Sequence, residues 1–104
     1  MAMAVFTVFA LALENEDCAI VNSTPEKVTL QISGEYSVGS DYPTVAYTKQ
    51  YVIQPNSYEH IKRGACDVGT ADVYMATQCV GRMHRRHTYN LTLVDGVYKL
   101  QLIQ

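Results

Sequence analysis

Hydrophobic and polar residues alternate along most of this chain, and the alternation is cleanest at its C-terminal end. His87 to Ile103 reads His-Thr-Tyr-Asn-Leu-Thr-Leu-Val, then Asp95-Gly96, then Val-Tyr-Lys-Leu-Gln-Leu-Ile. An Asp-Gly pair between two alternating runs is the strongest short-range hairpin signal, because a type I′ turn needs positive φ at both central residues. With Asp95 and Gly96 as the loop, Leu93 faces Tyr98, Leu91 faces Leu100 and Tyr89 faces Leu102 on one side. Thr92 faces Lys99 and Asn90 faces Gln101 on the other. A one-residue slip would bury Lys99 and expose the leucines, so the pattern specifies the register. A C-terminal hairpin is expected at 88–103, with Leu91, Leu93, Leu100 and Leu102 buried and Lys99 and Gln101 exposed.

The rest of the chain reads in the same grammar. Residues 4–13 carry Val5, Phe6, Val8, Phe9, Leu11 and Leu13 and are apolar on both faces, as in a strand covered on two sides by its own domain or by a second chain. A short strand follows at 18–22. Over 27–33, Val28, Leu30 and Ile32 point inward and Thr29 and Gln31 outward. Gly34 is expected to mark a bulge, with the strand continuing to Val38. Further strands are expected at 44–54, 58–63 and 70–80, the last presenting Val73, Met75, Thr77 and Cys79 on one face. Residues 81–86 read as a basic loop. Turn residues cluster at 23–26, 39–43 and 55–57. Seven to eight strands without a helix predict an all-β, single-domain antiparallel β-sandwich or barrel spanning 1–104.

Composition sharpens this picture in two ways. Charged residues are only 17% of the 104, and the chain has eight Tyr and no Trp. A surface this poor in charge is covered by Thr, Ser, Gln, Asn and Tyr, or is buried against a partner. Charge is also uneven along the chain. Residues 1–59 are net acidic, and residues 60–104, which hold every Arg and His, are net basic. The N-terminal apolar run is too short for a membrane-spanning helix, which needs ~20 residues. Ala10-Leu11-Ala12 resembles a signal-peptidase site, but no basic region precedes it.

Candidate chemistry is sparse. Cys18, Cys66 and Cys79 fit no zinc spacing and no Cys-x-x-Cys motif. Cys66 and Cys79 could bridge the strands that carry them; three buried thiols are the alternative. Most carboxylates fall in turns, no Ser sits at a nucleophile elbow, and no Gly-rich loop leads into a helix. The chain therefore reads as a non-enzyme, with no catalytic residue, metal ligand or cofactor to assign.

The sharpest local feature is Gly81 to His87. Arg82, Arg85 and Arg86 offer planar bidentate donors for an anion, with His84 among them. Tyr42 in the 39–43 loop is added as an aromatic surface. These five residues are the candidate ligand site. Six bases in the second half and an acidic pI of 5.8 argue against nucleic acid. Asn22-Ser-Thr and Asn90-Leu-Thr are glycosylation triplets.

Two functions fit. One is a lectin-like, carbohydrate-binding module, extracellular or surface-associated, that takes a glycan or another anionic ligand through Tyr and polar side chains. The other is a self-assembling subunit of a coat, appendage or filament, a homo-oligomer joined through its apolar N-terminal strand.

Overall fold

The computed structural model describes residues 18–61 and 70–103. These residues form two four-stranded sheets packed face to face, not closed into a barrel, with no helix among them. The strands are β1 (Cys18–Asn22), β2 (Val28–Tyr36), β3 (Val45–Ile53), β4 (Tyr58–Ile61), β5 (Thr70–Met75), β6 (Gln78–His84), β7 (Thr88–Val94) and β8 (Val97–Leu102). One sheet has the order β4-β1-β7-β8 and the other β3-β2-β5-β6. All pairings are antiparallel except β1 with β7.

Strand alternation builds the core. Val28, Leu30 and Ile32 of β2 and Ala71 and Val73 of β5 face Cys18 and Ile20 of β1 and Tyr89 and Leu91 of β7 across the sandwich. Each buried Val, Leu or Ile contributes ~1.5–3 kcal/mol relative to leaving it in water. At the edge where β6 meets β8 the two sheets nearly touch. A Cβ on Gly81 would lie 2.7 Å from the Leu100 Cβ, so only glycine fits there. Every residue of β1 is buried, including Ala19 and Val21 on the face away from the core.

One polar knot holds the opposite end together. Asn22 is fully buried, and its Nδ2 donates to the carbonyls of Glu26, Ile53 and Gln54 at 2.8, 2.9 and 3.2 Å. Its Oδ1 accepts from the backbone N–H of Thr24 at 2.9 Å and from the Thr24 hydroxyl at 2.7 Å. The β1–β2 and β3–β4 turns are thereby tied to one side chain. A second tie crosses from β6 to β7: the His84 N–H donates to the Tyr89 hydroxyl at 2.6 Å. A tyrosine that binds back to the chain just before a sheet-to-sheet crossing is the arrangement called a tyrosine corner in β-sandwiches.

The predicted C-terminal hairpin is present in its predicted register, with Leu93↔Tyr98, Leu91↔Leu100 and Tyr89↔Leu102. Asp95 and Gly96 both have positive φ, at 53° and 78°. Lys99 and Gln101 are exposed and Leu91 is buried, but Leu93 and Leu100 are only half-buried and Leu102 is exposed. The reason is position: Leu100 and Leu102 belong to β8, the edge of its sheet, and Leu93 lies on β7 beyond that strand's last pairing with β1, so their apolar side meets less of the opposite layer.

Other expectations are corrected. Gly34 makes no bulge: β2 and β3 run in unbroken register from Val28↔Ile53 to Tyr36↔Val45. The expected strand at 70–80 is a hairpin that turns at Ala76-Thr77, and the expected basic loop at 81–86 is mostly strand β6. The bulge lies instead between β5 and β6, near Val73 and Tyr74. Cys79 is an exposed free thiol, so the expected Cys66–Cys79 bridge does not form; Cys18 is the cysteine held in a disulfide. The strand expected at 4–13 lies outside the described residues.

Candidate functional site

Strand directions sort the loops into two groups. The β1–β2, β3–β4, β5–β6 and β7–β8 turns share one end of the sandwich, and the β2–β3 loop and β6–β7 turn share the other. Tyr42 lies in that β2–β3 loop, and Arg85 and Arg86 form the β6–β7 turn, with Arg86 at φ 69°. The sequence-predicted site residues therefore come to the same end of the molecule.

A concavity at that end lies on the outer face of the β3-β2-β5-β6 sheet. It is a depression of about 310 Å³ lined by Ser33, Glu35, Thr70 and Asp72, with Gly34 and Ala71 as its floor. Alternation puts Ser33 and Glu35 of β2 on this face, and the Ser33↔Asp72 pairing brings β5 alongside. Small side chains on both strands leave the hollow between them.

Arg82 and His84 of β6 neighbour this depression through their pairing with β5. Arg82 stands opposite Asp72 and His84 opposite Thr70 in the β5–β6 register. The Arg82 Nε donates to Asp72 Oδ1 at 2.8 Å, and this bond, with the carboxylate charge, holds the guanidinium proton more tightly than usual. Arg82 is thus engaged with Asp72, which it orients. On the other side the Thr44 hydroxyl donates to Glu35 Oε1. Arg85, Arg86 and Tyr42 lie beyond the depression, in the turn and loop at that end. Tyr42 is exposed, and its ring rests on Gly39: a Cβ there would come within 2.9 Å of the ring.

The four lining residues were not picked out by the sequence. A signal for them existed. Most of the acids fall in turns, whereas Glu35 and Asp72 sit within strands, and an acid at an outward strand position has no turn geometry to account for it.

A second concavity of about 460 Å³ opens between the edges β3 and β4, where Tyr47, Lys49, Tyr51, Glu59 and His60 converge. The Tyr47 and Tyr51 hydroxyls are hydrogen-bonded at 2.9 Å, and the Lys49 Nζ lies 5.2 Å from the centre of the Tyr51 ring. Burial pushes the Tyr51 hydroxyl well above the usual tyrosine range, and the bond to Tyr47 and the Glu59 carboxylate add to the effect. His60 is in β4, at the opposite edge of the sandwich from His84 in β6, so these histidines do not meet. Among the described residues no three His, Cys, Asp or Glu side chains converge as metal ligands would. No helix among them is long and apolar enough to cross a membrane.

No protein-family model matches this chain, and neither the curated proteins nor the solved structures show a significant match.

Proposed function

We propose that the protein is a non-enzymatic carbohydrate-binding module that holds a neutral sugar on the outer face of the β3-β2-β5-β6 sheet. The observation that carries this reading is the depression lined by two carboxylates and two hydroxyls, Glu35, Asp72, Ser33 and Thr70. Carboxylates accept short, charge-assisted bonds from hydroxyl donors, and a pair of neighbouring sugar hydroxyls can meet both oxygens of one carboxylate. Ser33 and Thr70 can donate or accept and so follow the sugar's remaining hydroxyls. Arg82 keeps Asp72 in one orientation, which lowers the cost of ordering it on binding.

The acids decide between neutral and anionic ligands at this position. A sulfate or carboxylate in the depression would face Glu35 and Asp72. An anionic substituent fits only if it reaches Arg85 and Arg86 in the β6–β7 turn, so these arginines recognise an acidic extension of the glycan rather than its core. The disulfide at Cys18 supports an extracellular or surface setting, because disulfides persist in oxidising compartments.

The test is a glycan array followed by calorimetric titration of the best hit. Glu35→Gln and Asp72→Asn should each weaken binding by about tenfold, the loss of roughly one charged hydrogen bond. Lys99→Gln, on the other sheet, should leave it unchanged. A glycan bound equally well by the Glu35→Gln/Asp72→Asn double variant would remove the site, and an array without a hit would remove the function.

A further inference from the structure

The depression is one end of a longer strip. Alternation along β5 sets Thr70, Asp72 and Tyr74 on the outer face, and alternation along β2 sets Glu35, Ser33 and Gln31 there. The register joins these residues in rows. Ser33 stands opposite Asp72 and Gln31 opposite Tyr74, while Glu35 and Thr70 come just past the Gly34↔Ala71 pair. Same-face neighbours on one strand are about 7 Å apart, so the row of Gln31 and Tyr74 lies one short step beyond the depression.

That third row is open and uncharged. Tyr74 is half-buried, Gln31 is exposed, and the exposed Gln50 of β3 stands opposite Gln31. Asp72 is the main influence on the Arg82 guanidinium and Tyr74 a lesser one, which sets the Tyr74 side chain near Arg82 on this face.

We propose that the strip is a track for a neutral oligosaccharide, with one sugar in the depression and the next stacked on the Tyr74 ring beside the Gln31 and Gln50 amides. The inference rests on the sugar reading of the depression and adds the length and direction of the ligand. A sugar ring has a face of C–H groups and a belt of hydroxyls. An aromatic ring covers the first, and amides that both donate and accept match the second. Charge selects a neutral chain: a polyanion would run over Glu35 and Asp72, and a polycation would meet Arg82. Linkage makes the second contact intramolecular, so a weak stacking contact still adds to the affinity.

The test is calorimetric titration of the full chain with cello-, chito- and mannooligosaccharides of one to four residues. In the series that binds, affinity should rise about five- to tenfold from one residue to two. Tyr74→Ala should abolish that rise and leave monosaccharide affinity unchanged, which also shows that the variant is folded. Tyr74→Phe, which keeps the ring, should retain the rise. The Glu35→Gln/Asp72→Asn double variant should weaken every length. An affinity independent of length overturns the track and leaves the sugar site standing. So does a Tyr74→Ala variant that keeps the rise, or one that weakens all lengths equally. No binding at any length in any series overturns the track and the sugar reading together.

Discussion

At the scale of single residues, Asn22 shows how far a local motif can mislead. Asn22-Ser-Thr satisfies the glycosylation triplet, yet the Asn22 amide is buried and spent on the carbonyls of Glu26, Ile53 and Gln54. Two of those partners lie more than thirty positions away, so no reading of neighbouring residues could have found them. Asn90 is the accessible triplet of the two: it is half-buried, and its Oδ1 accepts from the Ser23 hydroxyl. Asn22→Ala would strand buried carbonyls in two turns and leave the Thr24 hydroxyl with one acceptor fewer. An unsatisfied buried polar group costs ~1–3 kcal/mol, so the substitution should destabilise the protein by roughly 2–5 kcal/mol in urea unfolding. A loss below about 0.5 kcal/mol would show that water replaces the amide.

At the scale of elements, the two hairpins explain what the sequence revealed and what it hid. The β7–β8 turn carries Asp95-Gly96, residues suited to positive φ, and its position and register were legible. The β5–β6 turn carries Ala76-Thr77. Ala76 sits at φ 55°, a conformation disfavoured for a residue with a Cβ, so nothing in the local sequence announces a turn. The hairpin forms because packing of Val73, Val80 and Met83 overrides the local preference. That conflict is measurable. Ala76→Gly relieves the steric penalty at the cost of a more flexible unfolded chain, and should stabilise the protein by about 0.5–1 kcal/mol. A calorimetric melting temperature that rises by roughly 2–8 °C agrees with this; one that falls means the φ of Ala76 carries little strain. The same override hid the site. The outward faces of β2 and β5 could be read from alternation, but the adjacency of β2 and β5 that places Ser33 and Glu35 beside Thr70 and Asp72 is a property of sheet order.

At the scale of the whole molecule, the charge asymmetry of the sequence does not become two oppositely charged bodies. Each sheet mixes strands from both halves of the chain, and Arg82 is matched locally by Asp72. What does act globally is the tyrosine content. Tyr51 and Tyr89 are both buried in the core, and burial raises the pKa of each hydroxyl. The backbone bond from His84 offsets part of this rise at Tyr89. In the unfolded chain both would titrate near 10. A folded pKa above the unfolded one means that the unfolded state releases protons first. Stability is then fully present below about pH 10 and is lost as pH rises from there toward the folded values. Denaturant midpoints should therefore fall as pH rises above about 10. Tyr51→Phe cannot ionise, so it should start lower at neutral pH, having lost the bond to Tyr47, but decline less over the alkaline range. An equally steep alkaline decline in Tyr51→Phe and in Tyr51→Phe/Tyr89→Phe would assign the transition to other groups.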